Sequence, residues 1–484
     1  MKYVLYGFLI LLAIVVILLI IAIIRAIIIK KEYIPATKVM GEVARKEEFA
    51  RKLGDLIKCN TITYVNPEDA DRFLHYHQVV KEMFPLIDKK LEKIEIEGYS
   101  FLYKWKGKNQ TKKPILLIGH SDVVPITKDG WTKDPFSGDY DGERVHGRGA
   151  LDNKSSFYAF MQAVEDLLKD GFVPEVDVYL GSASDEEIAG VGAVRIMKYL
   201  KERNVRLALV LDEGGAIITG VLPTLKAPFA VVGILEKGFA NLEFVKTGIG
   251  GHASTPSKNT PLVQIAKFIT EVEKKKPLKK KFIPEVQTMF ECMAPYMSFS
   301  YRLLFANFWL FKPLLTRLLP AVSPYGAAIL GTTFAFTMAE GSSAPNVIPT
   351  KAKVIVNIRT HPIQDITSSL KVFNKIASKY GITGTMIKGA EATKKVDMNS
   401  KGYLYLTEMI KRIFPDVGIA PYMITGRTDA REFEEISDCT IRFAPTRMTN
   451  EDLKGIHGIN ESVAINSVIE AIHFYKELLK NYQE

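Results

Sequence analysis

Five short stretches of the chain carry side chains that can bind divalent metal ions. Gly119-His120-Ser121-Asp122 offers an imidazole and, two residues on, a carboxylate; Asp152 follows in GRGALDNK, and Ser184-Asp185-Glu186-Glu187 sets three acids side by side. Asp212-Glu213 and His457 complete the set. Taken singly, each has an ordinary reading. A histidine at a strand end commonly bonds the backbone, an Asp before a helix commonly caps it, and a run of acids is commonly solvated. Together they supply two imidazoles and at least three carboxylates. Such a mixed nitrogen and oxygen set suits two zinc ions that share a carboxylate.

Those residues need elements that bring them to one place. Lys113–Gly119 (KPILLIG), Val176–Leu180 and Leu207–Leu211 are short apolar runs of the kind that form buried strands. Ser155–Asp170 puts Phe157, Phe160, Met161, Val164, Leu167 and Leu168 on one helical face, and Gly171 follows as a stop. Glu47–Cys59 reads as another helix. Strand–helix alternation predicts an α/β fold, a mostly parallel sheet with helices on both faces. Ligands of such sheets sit beyond the carboxyl ends of the strands, which is where the polar clusters fall.

A second rhythm starts near Leu235. Phe239–Thr247 reads as a strand, Pro261–Lys275 as a helix, Thr332–Met338 and Lys353–Ile358 as strands, Ile366–Tyr380 as a helix and Thr383–Lys388 as a strand. This split β-α-β-β-α-β order predicts a ferredoxin-like α+β domain. An insert over 283–319, rich in Phe and Leu around Trp309, interrupts it. From about Asn399 the first pattern resumes, with a strand at Asp438–Phe443 and a last helix at Ser462–Leu479. The predicted division is 1–31, 32–234, 235–396 and 397–484, the second and fourth segments forming one domain around the third.

The chain has 484 residues, 47% hydrophobic and 24% charged, with a formal net charge of +10. That composition excludes a disordered, collagenous or polytopic membrane protein. Three scattered cysteines exclude a disulfide scaffold and a CxxC zinc ribbon. Lys and Arg are spread along helix faces without interleaved aromatics, so no nucleic-acid partner is expected. The exception is local: Tyr3–Ile24 is an uncharged run of 22 residues. As a helix it reaches about 33 Å, enough to span a bilayer once. The run is longer than a signal peptide's apolar region, and no small-residue cleavage site follows it. Residues 1–31 are therefore expected to be an uncleaved single-pass anchor.

The sequence resembles the co-catalytic di-zinc metallopeptidases that include aminoacylase, carboxypeptidase G and carboxypeptidase S. It is especially similar to the branch holding carboxypeptidase S and the N-fatty-acyl-amino-acid synthase/hydrolase. The resemblance runs from about residue 45 to the C-terminus. GHSDVVP, DPFSGDYDGERVHGRGALDNK, SDEEIAGVGA, LDEGG, GIGGHASTP, NFWLFKPLL, NVIPTKAKVIVNIR, GRTDAREF and IHGINE carry it.

By that resemblance His120 and Asp212 bind one zinc, Glu187 and His457 the other, and Asp152 bridges both. Asp122 orients His120, and Glu186 is the general base. His252 reaches the site of a neighbouring subunit in a homodimer, where it helps hold the oxyanion. Asn346 and Arg359 bind the substrate carboxylate, and the Gly426 loop approaches the substrate. The inserted domain is then a lid and dimerisation domain. The implied enzyme is a zinc-dependent hydrolase cleaving the amide of N-acyl amino acids, or of short peptides with a free carboxylate. A dipeptidase or exocarboxypeptidase on the same scaffold is the alternative, followed by a catalytically inactive membrane-tethered dimer. Arg427 departs from the pattern, standing where the family has a small or polar residue. His75, His77, His146, His361 and His473 match no ligand position and are expected to be structural. The side of the membrane stays open: Arg25, Lys30 and Lys31 outweigh Lys2 and the amino terminus by one charge and point to the cytoplasm, whereas the resemblance points to the lumen or exterior.

Overall fold

Ile115–His120 shows how the chain builds its main sheet. Alternate residues of a strand face opposite sides. Here Ile115 and Leu117 enter a large core on one face, while Leu116 and Ile118 enter a smaller one on the other. Both faces are covered, so the strand is apolar throughout, as its sequence predicts. The computed structural model describes residues 2–29, 31, 34–36, 38–63, 69–127, 129–222 and 224–484. Lys30 of the expected anchor flank lies outside them.

At the centre of the sheet, Val178–Ala183, Ile115–His120, Leu209–Asp212 and Thr440–Arg442 run parallel in that order. Ser100–Trp105 and Glu92–Ile96 extend one edge antiparallel. On the other side Phe229–Glu236 pairs in parallel with Gly418–Ile424 and antiparallel with Ala216–Ile218. The sheet is thus mixed: its four central strands are parallel, and antiparallel pairs enter where strands return by short connections, as from Glu92–Ile96 to Ser100–Trp105 and from Ala216–Ile218 to Phe229–Glu236. The helices Lys154–Lys169 and Ile465–Asn481 pack together over one face, and Gly192–Glu202 covers the other. Register then fixes the site. Gly119 pairs with Ser182 and His120 with Ala183, so the loops after these strands leave from the same edge.

A second, antiparallel sheet runs in the order Thr333–Glu340, Lys351–Thr360, Gly238–Thr247, Thr383–Ala390. The helices Pro261–Lys275 and Ile366–Ala377 bury Phe268 and Phe373 against Phe244 of this sheet. The strand and helix order matches the split pattern expected from the sequence. The aromatic insert does not join this second core. It forms the helices Pro284–Met293, Phe299–Phe305, Phe308–Val322 and Pro324–Leu330. Val286, Met289, Phe290, Phe305, Phe308 and Leu315 pack into the large core of the main sheet instead. The N-terminal helix Lys2–Ile28 is long and apolar enough to cross a membrane. Of its residues only Ala22 and Ala26 are buried, against the insert.

Candidate metal centre and active-site cavity

Two imidazoles converge on one carboxylate. His120 Nε2 lies 2.9 Å from Asp152 Oδ1, and His457 Nε2 lies 3.1 Å from Asp152 Oδ2. Each imidazole has a second acid. Glu213 Oε1 is 3.5 Å from His120 Nε2, and Glu187 Oε2 is 3.1 Å from His457 Nε2. His120–Asp152–Glu213 and Asp152–Glu187–His457 are therefore two triads that share Asp152, with the candidate ligand atoms of each triad within 4.8 Å of one another. The donor chemistry fits two small divalent cations, each met by one nitrogen and two carboxylates. Glu187 Oε1 is buried without a hydrogen-bond partner among the described residues, as expected of an oxygen that serves an ion.

Glu213, and not the expected Asp212, stands in the triad with His120 and Asp152. Asp212 Oδ1 accepts the Glu213 N–H at 2.8 Å and its Oδ2 accepts the Ala430 N–H at 2.7 Å. Successive side chains at a strand end point to opposite sides, and Glu213 is the one that lies 3.5 Å from His120 Nε2.

Asp122 does more than adjoin His120. Its backbone carbonyl accepts from His120 Nδ1 at 3.0 Å, and a carboxylate oxygen lies 3.4 Å from the same nitrogen. Donation from Nδ1 leaves Nε2 as the ligand atom. The Asp122 carboxylate also accepts the N–H groups of Glu186 and Glu187, both at 3.1 Å, and so ties the two strand-end loops together. Glu461 does the same for Asp152. Fully buried, it accepts from the N–H groups of Gly149, Leu151 and Asp152 and from Arg148 Nη1. No ligand or catalytic role for Glu461 follows from the motifs; its place in IHGINE, four residues after His457, is the one signal the sequence offers.

The cluster concentrates negative charge. Burial pushes the Glu186 carboxyl well above the ordinary range, and nearby Asp429 and Glu213 add to it. Burial likewise raises Glu187 and Glu213. Burial alone would lower His120, but Glu213, Asp122 and Asp152 outweigh it and hold the imidazole well above its usual value. Asp152 and Glu187 raise His457 to about 10. Every one of these groups gains from a nearby positive charge or proton, which is the electrostatic condition of a cation site.

The triads open into a cavity of about 430 Å³. Glu186, Arg359, Gly426 and Arg427 line its polar end, and Ile218, Leu222, Met289, Met293, Ile424 and Met448 are among its apolar walls. Arg427 Nη2 donates to Glu432 at 3.1 Å, while its Nη1 lies 3.8 Å from Glu186 Oε1. His252 and Asn346 are not brought here. Both are exposed on the second sheet's side of the chain, where the Ala253 N–H donates to the Asn346 carbonyl and His252 pairs with Val347. Of the other histidines, His361 is buried, His77 bonds the Tyr99 carbonyl, and His146 lies 2.6 Å from Asp141.

Residues 116–481 match the description of peptidase family M20/M25/M40. A probable carboxypeptidase S-like protein of Dictyostelium discoideum is 32% identical over 99% of this chain and 93% of its own length. An N-fatty-acyl-amino acid synthase/hydrolase of Homo sapiens is 31% identical over 93% of this chain and 91% of its own length. Among solved structures, an M20 family metallo-carboxypeptidase of Sulfolobus solfataricus superposes with a TM-score of 0.66 at 19% identity. It covers 89% of this chain and 98% of its own.

Proposed function

This chain belongs to the M20/M25/M40 peptidase family, and from that premise we propose that it is a membrane-anchored di-zinc hydrolase of N-acyl amino acids. The observation that carries the reading is the pair of triads sharing Asp152 in the wall of a cavity that is also lined by apolar side chains and by Arg359. His120, Asp152 and Glu213 would hold one zinc, and Asp152, Glu187 and His457 the other. When bound, the metals supply Lewis-acid polarisation of the scissile carbonyl and a water of lowered pKa.

The chain's own residues supply the rest. Glu186, buried and beside the ligand Glu187, takes the proton of the attacking water and returns it to the leaving amine. Arg359 holds the α-carboxylate of the amino-acid part through paired charge-assisted bonds. The apolar wall from Ile218 to Met448 takes the acyl group, in keeping with the relative that acts on N-fatty-acyl-amino acids. His252 and Asn346 act together, in the site of a second subunit, since both lie outside their own chain's cavity. Residues 235–396 form the lid and dimerisation domain, 32–234 with 397–484 the catalytic domain, and 1–31 the anchor.

The deciding experiment is a panel of N-acyl amino acids of increasing chain length, with matched dipeptides and α-amides, assayed with added zinc. The expected result is kcat/KM rising with acyl length and falling when the carboxylate is amidated. A preference for dipeptides, with no dependence on acyl length, would favour the dipeptidase or exocarboxypeptidase alternative. No hydrolysis of any substrate by zinc-loaded protein would leave the inactive tethered dimer.

A further inference from the structure

The insert carries a feature that hydrolysis does not require. Between Glu291 and Glu340 there is no acidic residue, while Arg302, Lys312 and Arg317 are all cationic. Within this stretch the helix Phe308–Val322 buries Phe308 and Leu315 in the main core. Its other side exposes Trp309, Pro313, Leu314, Leu318 and Val322, and among these Arg317 is the one exposed cation. The spacing of four, one, four and four puts these residues on one helical face. A face of large apolar groups with a tryptophan, an exposed arginine and no acid fits a helix lying in a membrane interface.

The insert is also fastened to the candidate membrane span. Asn307, fully buried, donates through Nδ2 to the Ala22 carbonyl at 2.9 Å and to the Leu303 carbonyl at 2.9 Å. Its Oδ1 accepts the Trp309 Nε1–H at 3.0 Å. Nearby, the Lys31 ammonium lies 5.4 Å over the Tyr296 ring. Ala22 precedes Arg25, the first charge after the apolar run, by three residues, about 4.5 Å of helix. Asn307 therefore meets the span just inside the level at which charge begins. Interfacial helices bury their apolar faces to a depth of about 5–10 Å.

We infer that the 299–330 layer is a membrane-interface platform. Its helix Phe308–Val322 lies in the acyl–headgroup boundary of the leaflet that the N-terminal helix crosses, with anionic lipid as its partner. The layer leads directly to the active-site cavity. Tyr325, three residues beyond Val322, lines that cavity together with Met289 and Met293 of the preceding insert helix. An amphiphilic substrate held in the leaflet can thus pass from bilayer to cavity without its acyl chain crossing open water. The inference rests on reading the N-terminal helix as a span.

The test uses the full chain reconstituted in phosphatidylcholine–phosphatidylserine vesicles whose acyl chains carry bromine near the headgroup. The chain has three tryptophans, of which Trp105 is buried in the main core. Part of the emission should be quenched by the brominated lipid, and that part should disappear in Trp309→Phe. Leu318→Trp should add a second quenched component, which guards against misfolding of the first variant. Resistance to alkaline carbonate extraction is measured on the same vesicles. Extraction-resistant protein with unquenched Trp309 would overturn the platform while leaving the span intact. Quenching in protein that carbonate strips would remove the span, and with it the inference, and leave only a peripheral membrane contact. Efficient disulfide cross-linking of Leu318→Cys copies, without quenching, would give the face to a second copy of the chain and overturn the inference.

Discussion

Asp212 and Glu213 are neighbours, and replacing each by its amide should damage different properties. The Asp212 carboxylate accepts two backbone N–H groups, at 2.8 Å from Glu213 and 2.7 Å from Ala430, inside a buried pocket. Asp212→Asn keeps one acceptor oxygen and turns an NH₂ group towards the other donor. A buried donor left unpaired costs about 1–3 kcal/mol, so folding stability should fall by that amount even with a chelator present. Glu213→Gln is nearly isosteric and strands no backbone donor in the described structure. It relieves the repulsion from Asp152 and gives up the attraction to His120, two effects that oppose each other. Its stability in chelator should therefore stay close to that of the parent. Metal binding should reverse the order. Losing a partner that merely orients a ligand weakens metal affinity roughly 10–100-fold, so losing a carboxylate ligand itself should exceed about 100-fold, or roughly 2.7 kcal/mol. Denaturant unfolding in chelator and zinc titration of both variants measure the two quantities. Strong zinc loss in Asp212→Asn with unchanged stability, and retained zinc in Glu213→Gln, would refute the assignment and restore Asp212 as the ligand.

Glu186→Gln should lower kcat by at least about 10²-fold with zinc largely retained, whereas Glu187→Gln should lose zinc; the test is metal content beside initial rates. Mixing inactive His252→Ala with inactive Glu186→Gln protein should restore roughly a quarter of parental activity if subunits exchange at random, since half the dimers are mixed and each has one complete site. No recovery in confirmed mixed dimers would remove His252 from the partner's site. Arg427 Nη1 is buried without a hydrogen-bond partner among the described residues, at the end of the cavity that Arg359 also lines. Arg427→Gly should therefore cut kcat/KM for acyl aspartate or acyl glutamate relative to acyl leucine about tenfold, the loss of one charge-assisted contact. Burial, with Lys237 beside it, pushes His361 down to about 4. The unfolded chain then binds a proton near pH 6.5 that the folded chain refuses, so stability should fall as pH drops from about 6.5 to 4, by up to about 3 kcal/mol. Denaturant melts at pH 7 and pH 5 should show a smaller difference in His361→Gln than in the parent.

Much of the molecule is written locally in its sequence. The buried strands, the amphipathic helices and the apolar N-terminal helix each follow from residue periodicity, which depends only on neighbours along the chain. The polar clusters after the strands were legible for the same reason, because a parallel sheet delivers its strand ends to one edge. His120, Asp152, Glu187 and His457 come together as that logic implies. The sequence could not choose between Asp212 and Glu213. Both are acids at one strand end, and which of them faces His120 depends on the loop that brings the Ala430 N–H to Asp212, 218 residues away. Nor could it assign the aromatic insert, whose apolar residues would suit either core; packing against Gly418–Ile424 decides for the main sheet. The Asn307–Ala22 bond joins residues 285 apart. Periodicity states that a face is apolar or that a carboxylate stands at a turn. Which surface covers the face, and which donor claims the carboxylate, is set only when distant segments compete for the same space and the same hydrogen bonds.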